Sequence, residues 1–263
     1  MSEVLLTRRE GAVLVLSNNN PAARNALSPA FYAAVTTALA DAAADASVGA
    51  VVLTGEGGHF CAGGDLRQLA RRRELPVEQR REKLEGLHDL IRVVRDCPKP
   101  VIAAVEGAAA GAGLSLALAC DMLVAARDSL FSVAYVKVGL TPDGGATAFL
   151  AEFVSRQVLT ELCLTGERIS GERMYALGPV NRLAEPGQAL VDAVALAAQI
   201  ATGPDQATAL IKDLCRQAPR NTLEQQLELE AQHMVRSQGS EESREGIAAF
   251  LEKRSADFTK LRA

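Results

Sequence analysis

Two short, β-branched apolar runs, Ala50-Val51-Val52-Leu53-Thr54 and Val101-Ile102-Ala103-Ala104-Val105, carry the pattern of parallel strands buried on both faces. Each leads into a glycine-rich turn, Phe60-Cys61-Ala62-Gly63-Gly64-Asp65-Leu66 and Glu106-Gly107-Ala108-Ala109-Ala110-Gly111-Ala112-Gly113-Leu114, and each turn opens a helix-like run. Both turns are therefore expected at the carboxyl end of one sheet, with backbone N–H groups aimed at a small anionic oxygen. Upstream, residues 3–17 read as two strands joined at Glu10-Gly11, and Asn18-Asn19-Asn20-Pro21 breaks the pattern. Ser28-Pro29 supplies an N-cap and a first-turn proline for a helix through Ala44, which completes a β-α-β unit.

The stretch from Arg67 to Glu85 is densely charged and interrupted at Pro76, as in a solvated helix–loop–helix. A helix from Leu87 to Arg95 is expected next, ended by Cys97-Pro98-Lys99-Pro100. Further strands are expected at Met122–Ala126 and near Phe131-Ser132-Val133. From about residue 145 the pattern is almost all helical, with loops at Gly178-Pro179, Pro186-Gly187 and Gly203-Pro204. The C-terminal third reads as a layer of amphipathic helices, of the kind that pack on a neighbouring subunit as well as on their own core.

At 263 residues and 48% hydrophobic, the chain can bury one main core with a helical appendage. A net charge of −4, a pI near 5.6 and the absence of Trp give no footprint for nucleic acid. The cysteines Cys61, Cys97, Cys120, Cys163 and Cys215 are widely spaced without a CxxC, so neither a disulfide framework nor a zinc site is expected, and no other ligand cluster suggests a metal. No apolar run approaches the ~20 residues that span a bilayer. Met1-Ser2-Glu3 opens no signal peptide, and the expected location is cytoplasmic.

The spacing Gly107-x-x-x-Gly111-x-Gly113 invites a dinucleotide reading, but the turn lies mid-chain, Arg127 stands where an acidic residue would be wanted, and Tyr135 is followed by Lys137 at the wrong interval. Taken alone, the turn fits close helix–strand packing equally well. Asp143, in Pro142-Asp143-Gly144-Gly145, reads by itself as a helix N-cap or turn residue.

Taken together, Arg24-Asn25-Ala26-Leu27-Ser28, the first turn, Lys99-Pro100 with the strand at 101–105, the second turn with Cys120-Asp121, Val138-Gly139-Leu140-Thr141-Pro142-Asp143-Gly144-Gly145 and Glu245-Gly246-Ile247-Ala248-Ala249-Phe250 resemble the enoyl-CoA hydratase/isomerase (crotonase) superfamily along the whole chain. Within it, the motifs look most like the branch of epoxyphenylacetyl-CoA isomerases and oxepin-CoA hydrolases of phenylacetate catabolism. The resemblance implies an α/β fold with a β-β-α spiral core of roughly perpendicular sheets over residues 1–200, and a C-terminal helical region, 201–263, that builds a homotrimer, often paired into a hexamer.

It also implies an acyl-CoA thioester as substrate, with coenzyme A part of that substrate and no separate cofactor. The thioester oxygen would sit in an oxyanion hole made by the amides of Gly64 and Ala112. Arg24, Ala26, Ala62, Gly63, Asp65 and Leu66 match positions that hold the nucleotide and pantetheine, while Gly111, Tyr135, Leu140 and Pro142 match substrate-pocket positions. Where hydratases of the family carry two glutamates, this chain has Ser115 and Tyr135, and hydroxyls lack the basicity for that role near neutral pH. Asp143 then matches the acid/base aspartate of the family's isomerases, which suits moving a double bond or, less directly, hydration. Attack by Asp143 on the substrate, as in dehalogenation or hydrolysis, and a catalytically silent acyl-CoA binder are the alternatives. His88 reads as an ordinary surface or packed histidine.

Overall fold

The structure, a computed structural model, describes residues 3–262; Met1 and Ser2, part of the leader reading, and Ala263, the end of the C-terminal region, lie outside the described residues. Strands β1 (Leu5–Glu10) and β2 (Val13–Asn18) form an antiparallel hairpin that turns at Gly11, whose φ of +59° suits glycine. Helix α1 (Pro29–Ala44) follows, and its Ser28 N-cap accepts a hydrogen bond from the Phe31 amide. The chain continues through β3 (Ala50–Gly55), α2 (Leu66–Arg72), α3 (Val77–Asp96), β4 (Val101–Val105), β5 (Ala108–Ala110), α4 (Ala112–Ala119), β6 (Met122–Ala126) and β7 (Leu130–Ser132). Then come α5 (Ala146–Ala151), α6 (Arg156–Thr165), β8 (Ile169–Ser170), α7 (Gly171–Leu177), β9 (Arg182–Ala184), α8 (Ala189–Ile200), α9 (Asp205–Gln217), α10 (Leu223–Gln238) and α11 (Glu241–Leu251).

The fold is α/β, and the opening order β-β-α recurs at β4-β5-α4 and β6-β7-α5. A six-stranded sheet has the order β1-β2-β3-β4-β6-β9, parallel apart from the β1–β2 hairpin, and a three-stranded sheet has the order β5-β7-β8. Alternating residues of the central strands enter two cores. Val51, Leu53, Val101, Ala103, Val105, Leu123 and Ala125 pack with the buried faces of α1, α3 and α4. Ala50, Val52, Ile102, Ala104 and Val124 pack instead under α8, through its Ala189, Ala193, Leu196 and Ala197. β3 and β4 are neighbours in register, so the two glycine turns leave adjacent strands at the same edge.

Three expectations are corrected. The helix expected over 87–95 is the second half of α3, which runs unbroken from Val77. Leu87, Leu90, Ile91 and Val94 bury a helical stripe, and the solvated first half propagates from it at little cost once the helix is nucleated. The second glycine turn contains a strand, β5, and the region expected to be helical contributes β8 and the edge strand β9. These two- and three-residue strands are imposed by their neighbours: Asn181 accepts from the Leu123 amide at 2.8 Å and returns its own amide to the Leu123 carbonyl at 2.9 Å, which fixes β9 on β6.

The helices after α8 meet the core through charge. Lys99 pairs with Asp205 at 3.3 Å, Lys212 with Asp121 at 2.7 Å, Arg262 with Asp205 at 2.7 Å, and Arg216 with Asp96. Glu242, buried on α11, accepts from the amides of Gln206 and Ala207 in the first turn of α9. His233 lies 3.0 Å from Asp213. Outward-facing Met234, Val235, Ile247, Phe250 and Leu251 are exposed, Phe250 at 84%.

Candidate active site

The first turn is stitched in place by the motif upstream of α1. Arg24 and Asn25 both take left-handed backbone conformations, φ +49° and +58°, and Asn25 is fully buried. Its side chain accepts from the Asn20 amide (3.0 Å) and donates to the carbonyls of Glu56 (2.8 Å) and His59 (2.6 Å). All its polar capacity goes to holding backbone, as burial demands. The Ala62 amide then donates to the Arg24 carbonyl and the Leu27 amide to the Gly63 carbonyl, at 2.9 and 2.8 Å.

The two turns are paired as if they were strands. The Cys61 amide donates to the Ala108 carbonyl and the Ala110 amide to the Cys61 carbonyl, at 2.9 and 3.0 Å. His59 accepts from the Ala108 amide at 3.2 Å. Gly63 has φ +100°, and a Cβ there would sit 2.8 Å from the Ala110 carbonyl oxygen and 3.6 Å from the Ala112 nitrogen. The contact between the turns thus requires glycine, and it brings Gly63, next to Gly64, against the backbone at Ala112. Ala112 is the first residue of α4, where amides have no intrahelical acceptor. Among the described residues neither the Gly64 nor the Ala112 amide donates to a protein acceptor. Cys61 lies beneath this cluster, fully buried, and burial pushes its thiol up to about 12, which suits packing and not attack.

α4 is buried along its whole length, and Ser115 is its one polar side chain. A buried hydroxyl needs a partner: Ser115 donates to the main-chain carbonyl of Asp143 at 2.8 Å and lies 3.2 Å from the Tyr135 hydroxyl. Tyr135, on a 3₁₀ turn over Ala134–Val138, donates to Asp143 Oδ1 at 2.7 Å. Gly144 at φ +59° and Gly145 at φ +85° swing the chain from Asp143 into α5, and a Cβ on Gly144 would meet Ser115 Cβ at 2.9 Å. Burial pushes the Asp143 carboxyl above the ordinary carboxylate range, against the opposing pull of the Tyr135 hydrogen bond and of His88 and Arg72. Burial and the Asp143 charge push the Tyr135 phenol far above its usual value.

Of the residues singled out in the sequence, Asp143, Tyr135 and Ser115 form one hydrogen-bonded cluster, and Gly63, Gly64, Gly111 and Ala112 lie in the paired turns. Gly111 links the two groups, since a Cβ there would lie 3.9 Å from the Tyr135 ring. The Tyr135 hydroxyl, expected to face substrate, is committed to Asp143, and the Asp65 carboxylate is committed to capping α2 through the amides of Arg67 and Gln68. Arg24, Ala62, Leu66 and Leu140 are exposed, Pro142 is half-buried and Ala26 is buried. Tyr32 of α1 was missed: burial, partly offset by Arg72 and reinforced by Asp143, pushes its phenol up to about 12. Arg72, expected in a solvated segment, and His88, expected as an ordinary surface or packed histidine, bear on the same carboxylate. Only the packing of α1, α2 and α3 around Asp143 reveals the three.

Comparison with known proteins gives one consistent result. The family model for enoyl-CoA hydratase/isomerase matches residues 8–261. The chain is 35% identical over 260 residues to the 1,2-epoxyphenylacetyl-CoA isomerase of Escherichia coli K12, covering 98% of this chain and 99% of that protein. It is 34% identical over 262 residues to the 2,3-dehydroadipyl-CoA hydratase of the same organism, with 98% and 99% covered. Among solved structures, an enoyl-CoA hydratase from Polaromonas sp. JS666 superposes with a TM-score of 0.94 at 47% identity, over 96% of this chain and 98% of that one.

Proposed function

The chain belongs to the enoyl-CoA hydratase/isomerase family, and from that premise we propose that it isomerises an unsaturated or aromatic-derived acyl-CoA thioester with Asp143 as the acid/base. The observation that carries the reading is the make-up of the Ser115–Tyr135–Asp143 cluster, one carboxylate and two hydroxyls. Adding water across a double bond asks one group to activate the water and another to manage the proton on carbon. Ser115 already donates to a carbonyl, and burial and Asp143 hold the Tyr135 phenol more firmly protonated, so it offers no base. A proton shift needs only one carboxylate, which takes the proton from one carbon and returns it to another.

The amides of Gly64 and Ala112 supply the second half of the chemistry. Removing a proton beside a thioester puts negative charge on its oxygen, and two free backbone donors at a helix N-terminus hold that charge better than the neutral carbonyl. Arg24, Ala26, Ala62, Gly63, Asp65 and Leu66 are assigned to the nucleotide and pantetheine, with Asp65 acting through its backbone; Gly111, Leu140 and Pro142 are assigned to the acyl group. The isomerase relative supports an aromatic-derived acyl group, and the dehydroadipyl-CoA relative supports a straight-chain one. The exposed apolar side chains of α10 and α11 support assembly into a homotrimer or hexamer.

The test is turnover of phenylacetate-derived and straight-chain enoyl-CoA thioesters side by side, with α-proton exchange in deuterated water as a parallel readout. Asp143→Asn is expected to lose about 10²–10⁴-fold in turnover while calorimetry shows acyl-CoA binding retained. Full activity in the variant overturns the assignment, a hydrated product from the wild type overturns isomerisation, and an adduct on the Asp143 peptide shows nucleophilic attack instead.

A further inference from the structure

We infer that Tyr135 is a positioning residue that commits one carboxylate oxygen of Asp143, Oδ1, and leaves the other, Oδ2, as the oxygen that carries the proton; this rests on the acid/base reading of Asp143. A census of protons leads there. Tyr135 has one hydroxyl proton, and two acceptors on Asp143 lie within reach, Oδ1 at 2.7 Å and the main-chain carbonyl at 3.3 Å. Ser115 sends its proton to that carbonyl at 2.8 Å, and Oδ1 is nearer to the Tyr135 hydroxyl than either the carbonyl or Ser115 Oγ at 3.2 Å, so the Tyr135 proton goes to Oδ1.

Oδ2 accepts nothing from the protein among the described residues. The one buried side-chain polar atom without a partner among them is Arg262 Nε, so Oδ2 keeps contact with solvent. The other titratable groups bearing on the carboxylate are Tyr32 from α1, Arg72 from α2 and His88 from α3, and none of them hydrogen-bonds it. Two hydrogen bonds therefore hold the residue, one on the carboxylate at Oδ1 and one on its main-chain carbonyl. Ser115 stands three residues beyond Ala112 on the same buried helix, so the anchor also sets the distance from Oδ2 to the amide assigned to the thioester oxygen.

The proton step balances without further groups. A lone pair of Oδ2 takes the hydrogen from the carbon beside the thioester, the C–H electron pair moves into the enolate, and an Oδ2–H bond forms. Returning that hydrogen to a more distant carbon breaks Oδ2–H and restores the carboxylate. Tyr135 keeps its own proton throughout and stabilises Asp143 in its charged, ready form.

The test is an infrared titration of the carboxyl stretch, with the Asp143 signal identified by its loss in Asp143→Asn. Tyr135→Phe is expected to weaken Asp143 as an acid by about tenfold, moving its ionisation and the acid limb of kcat/KM to higher pH. Ser115→Ala, which removes the bond to the main-chain carbonyl and the 3.2 Å contact with the Tyr135 hydroxyl but no bond to the carboxylate, is expected to lower kcat with a smaller displacement. A folded Tyr135→Phe protein in which the Asp143 titration does not move overturns the inference. Where Tyr135→Phe does not fold, replacing the three tyrosines by the more acidic 3-fluorotyrosine is expected to move the Asp143 ionisation to lower pH, and no movement overturns it. Exchange of the α-protons of phenylacetyl-CoA separates the two readings: exchange that survives Asp143→Asn sinks the acid/base reading itself, whereas exchange lost in Asp143→Asn with an unmoved Tyr135→Phe titration sinks only the role of Tyr135.

Discussion

Asp121 and Asp143 occupy opposite ends of the sheet, and burial pushes both carboxyls above the ordinary range. Asp121, where β4 and β6 begin, is held by a cation and a backbone donor, Lys212 at 2.7 Å and the Val101 amide at 2.7 Å. Asp143, in the cluster beyond the ends of β3 and β4, is held by a neutral phenol on one oxygen while the other has no protein partner among the described residues. The same direction of shift therefore serves two purposes. At the seam the desolvation is answered by a full opposite charge, and the pair docks α9. At Asp143 it is answered mainly by a neutral hydrogen bond, which is the arrangement the proposed acid/base role needs.

The largest effect expected from breaking this contrast is at the seam. Asp121→Ala leaves the Lys212 ammonium, only 10% exposed, without its partner, and is expected to cost about 3–5 kcal/mol in denaturant unfolding. Loss of less than about 1 kcal/mol would make the seam an ordinary surface contact. Next is Ala112→Pro. Proline is tolerated at the first position of a helix but removes the amide, so kcat is expected to fall by about 10²–10³-fold with the melting temperature little changed.

The smallest effect concerns the stability of Asp143→Asn. Because the folded-state carboxyl is raised, its cost is absent below the ordinary carboxylate range, grows as pH climbs to the raised value and is constant above it. The variant is therefore expected to melt above the wild type at neutral pH, with the gap closing on acidification. A variant that melts lower at neutral pH would mean that Asp143 is structural in the way Asp121 is.

Much of this was legible in the residues, for reasons that differ by element. β3 and β4 announce themselves because a strand buried on both faces must be apolar throughout. Gly63 and Gly144 mark backbone that only glycine follows, so the turns around Gly64, Ala112 and Asp143 stood out before any packing was known. β5 and β9 did not, because Ala108–Ala110 and Arg182–Ala184 have no strand pattern of their own and are paired only by their neighbours. The Tyr135–Asp143 bond was hidden for another reason. It depends on a 3₁₀ turn closed by left-handed Gly139, and no periodicity indicates that such a turn folds a phenol back onto a carboxylate eight residues on. The capping role of Asp65 was visible in type, since aspartate favours helix starts, but the family motif drew attention to substrate instead.

Glu106 joins the two faces of the molecule. It follows β4 at the start of the second glycine turn, and its carboxylate accepts from the amides of Gly187 and Ala189 at the start of α8, at 3.2 and 2.8 Å. The helix that covers the far side of the sheet is thus tied to the turn carrying Ala112. Peeling α8 away is therefore expected to loosen that turn as well, which couples the closure of the rear core to the backbone around Ala112.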